Sequence, residues 1–314
     1  MITVVGSFIA DLTSRTQRMP VPGETVLGRS FKLGPGGKGG NQAVAAARAG
    51  SKVCIVTKLG DDEFGTMAVK NFQADGINIE YTQVTRDHPT GTALIIVDDS
   101  GENMIVVTLG ACGAMTREEV YAAEEAIKQS SVVMTQLETS MEAVAATVEL
   151  AIKYNVPVIF NPAPYNNNYP REILPLVSYI TPNETEAGYM AGVEITDDEN
   201  ALLAAAKIKG MGVNTVIITL GSRGSLIYEK ADDYVFVPSF QVETVDTTGA
   251  GDAFNGGLAH AIEQGIEIKE AVRYASAVAA ISVTHFGTAP SMPGKHEIDD
   301  FLKSQNQNQM NYNQ

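Results

Sequence analysis

Short apolar runs alternate with amphipathic segments along most of this chain, and no other feature restricts its fold as much. Residues 2–5, 53–57, 132–135, 156–160, 179–181 and 216–219 are rich in β-branched side chains and show no polar alternate face. Strands buried on both faces of a parallel sheet read this way. Residues 41–49, 63–74, 117–128, 141–153 and 197–209 lie between them with helical spacing. Parallel strands joined through helices cross over right-handed, so the expected fold is α/β, a mostly parallel central sheet flanked by helices on both faces. With 44% apolar residues the core is ample, and a single domain is expected over residues 1–303 of the 314.

Two regions break the rhythm. Residues 24–33 and 92–107 look like strands of another kind, the second folded as a hairpin about Asp98-Asp99-Ser100-Gly101-Glu102. They are expected to form a small separate sheet inserted at about residues 12–35 and 90–108, acting as a lid or an oligomer surface. Its edges need covering, and a two-fold pairing would cover them. Residues 304–314 are nearly all Gln and Asn and are expected to be a polar, frayed tail.

Charge narrows the partners. Lys plus Arg number 22 against 37 Asp plus Glu, a formal net charge of −15. That balance repels phosphate backbones and anionic lipid, so neither nucleic acid nor membrane is an expected partner. Cys54 and Cys112 each adjoin apolar residues and read as buried thiols rather than a disulfide or zinc site. His88, His260, His285 and His296 lack the spacing of a catalytic zinc site. The opening MITVVGS has no basic region or cleavage site and reads as a first strand. A cytoplasmic protein is expected.

Two segments carry chemistry. In Val245-Asp246-Thr247-Thr248-Gly249-Ala250-Gly251-Asp252, a strand ends, small residues turn the chain, and a helix begins near Asp252. Backbone N–H groups of Gly249, Ala250 and Gly251 at such a helix start make a cradle for anionic oxygens. A carboxylate at the same point can take a proton from a hydroxyl while the cradle steadies a phosphoryl group. A lone first-turn Asp can simply complement the helix dipole, but the flanking Gly-Ala-Gly and Asp246 favour the chemical reading. The other segment is Gly34-Pro35-Gly36-Gly37-Lys38-Gly39-Gly40-Asn41. Its Gly34-x-Gly36-x-x-Gly39 spacing matches the dinucleotide fingerprint, with Asp61 downstream, but it does not follow the first strand as that fingerprint requires. The glycines do allow a small polar ligand to approach the backbone closely, with Lys38 and Asn41 as donors.

Together these segments resemble the signatures of the ribokinase family of carbohydrate kinases. The resemblance continues through Pro22-Gly23-Glu24-Thr25, Asn161-Pro162-Ala163-Pro164, Pro182-Asn183-Glu184-Thr185-Glu186 and Thr219-Leu220-Gly221-Ser222-Arg223-Gly224, covering nearly the whole chain. It is nearer to the ribokinase branch than to the adenosine or fructose kinases. The resemblance implies an ATP-dependent kinase with Asp252 as the base and Gly249, Ala250 and Gly251 as the anion hole. Asp11, Gly37, Lys38, Asn41, Glu138 and Asp252 would hold the sugar. Asn183, Thr219, Leu220, Gly221, Ser222, Arg223, Gly224 and Gly251 would serve ATP, with Ser276 standing where the family has an adenine-side histidine. Glu186 would act on Mg²⁺ through water. Asp246, Thr248, Ser282, His285, Gly287 and Ser291 would surround K⁺, and a homodimer through the lid strands is implied.

One position departs from the family pattern. Ribokinases usually read Gly-Ser-x-Asn-x-Asp, whereas this chain reads Gly6-Ser7-Phe8-Ile9-Ala10-Asp11. Ile9 cannot pair with a hydroxyl, and a buried unpaired hydroxyl costs about 1–3 kcal/mol. Kinases of this family acting on 2-deoxyribose are similar in having an apolar residue here. The expected reaction is transfer of the γ-phosphate of ATP to the 5-hydroxyl of D-ribose, with 2-deoxy-D-ribose as the alternative. A nicotinamide-dependent oxidoreductase, resting on the glycine match alone, and a sugar-binding protein without turnover are the remoter readings.

Overall fold

The first strand, β1 (Ile2–Val5), is buried along its whole length and lies inside a nine-stranded sheet. In this computed structural model residues 1–312 are described, with side-chain surroundings through residue 307. After β1 come β2 (Ile9–Arg15), β3 (Ser30–Gly36), α1 (Lys38–Ala49), β4 (Val53–Gly60), α2 (Glu63–Ala74) and β5 (Asn78–Thr85). Next are β6 (Thr90–Val97), β7 (Asn103–Gly110), α3 (Arg117–Tyr121), α4 (Glu124–Lys128), β8 (Val132–Gln136), α5 (Met141–Lys153) and β9 (Val158–Asn161). The chain continues through β10 (Tyr179–Ile180), α6 (Glu184–Ala191), α7 (Asp198–Lys209), β11 (Thr215–Thr219), β12 (Ser225–Lys230) and β13 (Asp233–Val237). It closes with α8 (Ala250–Glu263), α9 (Ile268–Ser282) and α10 (Lys295–Tyr312).

The large sheet has the order β13-β12-β11-β10-β9-β8-β1-β4-β5. It is parallel from β5 to β11, and β12 alone is reversed, pairing antiparallel with both β11 and β13. Alternate residues point to opposite faces of a strand. Val4 accordingly joins a core cluster with Ile55, Phe72, Leu258 and Val278, while Val5 joins another with Val56, Val133, Phe160 and Val216. Both faces are covered, which is why these strands are apolar throughout.

After β1 the chain builds outward to β4 and β5, then returns through β8 on the other side of β1. The order reverses there, and ligands of open α/β sheets bind beyond the carboxyl ends of strands at such a point. Ser7 follows β1 and Glu138 follows β8 at this seam.

The second sheet has the order β3-β2-β6-β7 and connects to the large one through the β1–β2 link. Asp11 pairs with Gly34 on one side and Ala93 on the other. Phe31, Leu33, Leu94, Met104 and Val106 share the face opposite Asp11 and are exposed.

Some elements differ from the sequence expectation. The segment 24–33 becomes strand only from Ser30, and the strand extends to Gly36. β2 carries no strand-like apolar run; Ile9-Ala-Asp-Leu-Thr-Ser-Arg15 is extended because it pairs along its length with both β3 and β6. Segment 117–128 forms two short helices, with Val120, Ala123 and Ile127 buried across the break. α10 continues past residue 303, where the sequence places the start of a polar tail. Cys54 and Cys112 are buried and unpaired, and burial pushes the Cys54 thiol up to about 12. Among the described residues no helix is long and apolar enough to cross a membrane.

Candidate active site

The glycine run determines how α1 meets the sheet. Gly37 has φ 85 and caps α1 without any side-chain bond. A Cβ on it would lie 2.5 Å from the Ile9 nitrogen, so only glycine permits this approach. The helix start therefore lies against the β1–β2 link, where the Lys38 N–H donates to Glu138 Oε2 at 2.8 Å. The Ser7 hydroxyl donates to the same oxygen at 2.7 Å. Glu138 is thus pinned from both sides of the seam while nearly buried.

The second turn brings in the other carboxylate. Gly249 adopts φ 81 and caps α8, and a Cβ there would press to 3.3 Å from Thr288 Cα. Asp252, in the first turn of α8, is 6% exposed. Its Oδ2 accepts from Asn41 Nδ2 at 2.9 Å and its Oδ1 from Gln42 Nε2 at 3.0 Å. The Ala250 N–H donates to the Thr247 carbonyl at 3.2 Å. A Cβ on Gly251 would meet open space, so that peptide borders a cavity.

Charge is concentrated here. Burial raises the Asp11 carboxyl to about 6, opposed by the Thr288 hydroxyl and reinforced by the carboxylates of Glu138 and Asp252. Burial works against the charge on Lys38, but Asp252, Glu138 and Glu186 outweigh it and hold its pKa above the ordinary value. Burial also raises Glu186, against the Asn183 N–H and Lys38. The expected sugar residues Asp11, Lys38, Asn41, Glu138 and Asp252, with Gly37, therefore converge around one seam. Ile9 is 1% exposed at the root of the lid, on the same face of β2 as Asp11.

Two cavities border the loop that holds Thr244 and Thr247, and of the expected sugar residues only Asp11 lines one of them. One, of about 490 Å³, lies under the lid between Asp11, Lys32 and Ile105 on one side and Asp246, Phe286 and Thr288 on the other. The other, of about 590 Å³, is bordered by Asn183, Thr219, Gly221, Ser222, Gly224, Gly251 and Ser276. Thr244 and Thr247 border both. Leu220 and Arg223 turn away from the second cavity: Leu220 is in the core, and Arg223 pairs with Glu184 and Asp198. The Ser276 hydroxyl donates to its own helix at Val272.

Asp246 joins two loops, its carboxylate accepting from the Thr248 N–H at 2.9 Å and the Gly287 N–H at 3.0 Å. Although burial opposes this, those donors and the Thr248 side chain keep its pKa below the usual carboxylate range. His285 donates its N–H to the Ser282 carbonyl and Ser291 its hydroxyl to the Thr288 carbonyl, so these two side chains and backbones are already engaged locally. The Asp246 carboxylate supplies hard oxygen donors, chemistry open to a cation, although both oxygens already accept backbone N–H groups. Glu186 commits one oxygen to a capping box with Asn183, its Oε2 accepting the Asn183 N–H at 2.9 Å. Its position beside Lys38 and Asp252 fits a water-bridged Mg²⁺.

Three polar residues at the site escaped sequence reasoning. Gln42 and Asn161 lie in the hydrogen-bond network around Asp252, and Thr288 donates toward Asp11 Oδ2 at 3.2 Å and the Pro35 carbonyl at 2.9 Å. Gln42 directly follows Asn41, a polar pair opening an otherwise alanine-rich helix, and that was the available signal. The fingerprint glycines Gly34 and Gly36 belong to lid strand β3, and Asp61 pairs with Arg86 at the surface. They do not form a strand-to-helix turn of the large sheet.

The chain is similar to known proteins over nearly its whole length. A ribokinase of Haemophilus influenzae is 39% identical over 302 residues, covering 96% of this chain and 98% of the relative. A deoxyribokinase of Salmonella typhi is 36% identical over 301 residues, covering 96% and 98%. The structure of Arabidopsis thaliana ribokinase complexed with ribose and ATP superposes with a TM-score of 0.89 at 29% identity, covering 96% of this chain and 98% of that one. Residues 1–295 match the family described as pfkB family carbohydrate kinase, and this chain belongs to that family.

Proposed function

We propose that this enzyme transfers the γ-phosphoryl group of ATP to the 5-hydroxyl of D-ribose, giving ribose 5-phosphate and ADP. The observation that carries this reading is the buried Asp252 carboxylate in the first turn of α8, held by Asn41 and Gln42, with Gly251 next to it lining the second cavity. The sugar lies under the lid among Asp11, Lys38, Asn41 and Glu138, and ATP occupies the cavity along Thr219 to Gly224. Asp252 takes the proton of the sugar hydroxyl as its oxygen bonds to phosphorus and the bond to ADP breaks. The N–H groups of Gly249 and Gly251, with that of Ala250 once it leaves the Thr247 carbonyl, stabilise charge on the transferred group. Closure of the lid excludes water and limits idle ATP hydrolysis.

Mg²⁺ held through water near Glu186 would neutralise phosphate charge, and K⁺ beside Asp246 would order the glycine turn through the loops that Asp246 joins. Both ions are supported by the oxygen donors described above. A dimer would cover the lid face carrying Phe31, Leu94, Met104 and Val106, each more than half exposed, at 63%, 56%, 57% and 62%. A contiguous apolar face of this kind suits a second copy of the chain.

2-Deoxy-D-ribose is the second reading, favoured by Ile9 alone. The test is kcat/KM for the two sugars with ATP, Mg²⁺ and K⁺. A ribose preference of about tenfold or more, worth about 1.4 kcal/mol, supports the first reading, and the reverse preference assigns the enzyme to deoxyribose. Asp252→Asn is expected to lower kcat by about 10²–10⁴-fold while sparing sugar binding. Retained activity would remove Asp252 as the base.

A further inference from the structure

The direction of hydrogen bonding at Gln42 is set from a backbone carbonyl, which can only accept. Asn161 Nδ2 donates to the Thr181 carbonyl at 2.9 Å, which leaves Asn161 Oδ1 as an acceptor facing Gln42. Gln42 Nε2 lies 3.2 Å from that oxygen and 3.0 Å from Asp252 Oδ1, so both of its N–H groups are used. Its Oε1 accepts from Gln136 Nε2 at 2.7 Å. Gln42 and Gln136 are fully buried and Asn161 nearly so. Turning the Gln42 amide end for end would set its oxygen against Asn161 Oδ1 and Asp252 Oδ1, a buried clash; Gln136, whose own Oε1 has no partner among the described residues, can turn with it and so does not fix the direction.

Asp252 Oδ1 therefore always faces a donor. A proton on that oxygen would collide with the Gln42 N–H, so the protonated carboxyl must carry its proton on Oδ2. That oxygen meets Asn41, whose own Oδ1 has no partner among the described residues. Nothing holds the Asn41 amide in one direction, and it can turn to accept from a protonated Oδ2. The same scaffold reaches the glycine turn: the Thr181 hydroxyl donates to Asn255 Oδ1 at 2.6 Å, and Asn255 Nδ2 donates to the Gly251 carbonyl at 2.8 Å.

We infer that Gln42, locked by Asn161 and supported by the Gln136 donor, is a positioning residue that keeps Asp252 Oδ1 a permanent acceptor and makes Oδ2 the atom that receives the sugar proton. This rests on the reading of Asp252 as the base. Charged groups facing Asp252 are Lys38 of α1, Glu186 of α6 and Asp11 of β2, with Glu138 beside Lys38. Substitutions at Gln42 or Gln136 leave all four in place.

The test uses the full chain with Gln42→Met, Gln136→Met and, as control, Asp252→Asn, measuring kcat and KM for D-ribose alongside the folded fraction from urea unfolding. Gln42→Met is expected to lower kcat per folded molecule by about 10- to 100-fold with KM changed less than about threefold. Gln136→Met, which does not touch Asp252, should lower it in the same sense by less. A purely structural role would reduce the folded fraction and leave kcat per folded molecule unchanged, and that result in both variants overturns the inference. Should Gln42→Met fail to fold, kcat per folded molecule of Gln136→Met decides alone. An active Asp252→Asn overturns the base assignment itself, whereas an inactive one with unchanged glutamine variants removes only the role of Gln42.

Discussion

Ile55 and Ile105 are the same residue type in two sheets of one chain, yet Ile55 is wholly buried and Ile105 is 49% exposed. The difference lies in what covers each sheet. Ile55 sits in β4, between β1 and β5, with helices on both faces, whereas Ile105 sits in edge strand β7 of a sheet that borders a cavity. The large sheet uses apolar side chains to hold the fold together. The small one leaves many of them uncovered, and this sheet carries Asp11, while Glu138 and Asp252 sit on elements of the large one.

The sharpest way to break this contrast is truncation. Ile55→Ala should destabilise the protein by about 2–5 kcal/mol in urea unfolding, through lost burial and a residual cavity. Ile105→Ala should cost well under about 1 kcal/mol, because its surface is largely wet already. Equal costs would mean that the lid is part of the core.

The root of the lid gives the next effect. Ile9→Asn would place an amide on the face that carries Asp11, and should shift the ribose-to-deoxyribose ratio of kcat/KM towards ribose by about 10- to 100-fold. An unchanged ratio would show that the 2-hydroxyl is read elsewhere.

Asp11 itself supplies a pH test. Its carboxyl is raised from 3.8 to about 6, chiefly by burial, so the folded protein favours the protonated form. The stabilisation is complete below the ordinary value and is lost as pH rises through about 6. Asp11→Asn should therefore stabilise the sugar-free protein near neutral pH by about 1–2 kcal/mol after allowance for solvent screening, with the difference vanishing toward pH 4. Sugar KM should rise as the wild-type protein is acidified through the same range, since the ionised carboxylate is the better acceptor. Urea midpoints and KM measured across that range check both signs. A smaller effect is expected at Phe31: Phe31→Ser should change unfolding by less than about 0.5 kcal/mol while lowering the dimer fraction in sedimentation. A large loss of monomer stability there would contradict the exposed lid face.

Apolar runs survived translation into structure best where both faces are buried. β1 and helices α2 and α5 coincide with the segments read from the chain, because their periodicity is dictated by burial. β2 was not legible: its polar residues become a strand only through partners more than ten residues away in β3 and some eighty away in β6. The candidate site divides in the same way. The two glycine turns announce themselves, since glycine at a positive φ before a helix leaves a mark in the sequence. Thr288 leaves none, and Asn161 shows only as part of a family-like segment without a role, because ordinary polar residues gain a role only from what they meet.

From the amino-acid order alone follow the layered α/β fold, the two glycine-capped helix starts and Asp252 in the first turn of one of them, since each depends on local periodicity or local backbone chemistry. Tertiary structure alone decided that Asn41 and Gln42 meet Asp252 more than 200 residues away, that Ser7 and the Lys38 N–H share Glu138, and that Arg223 turns to Glu184 and Asp198. The physical reason is that a hydrogen bond or ion pair depends on distance in space, and strand order, which brings the end of β1 beside the end of β8, is what converts remote positions in the chain into neighbours.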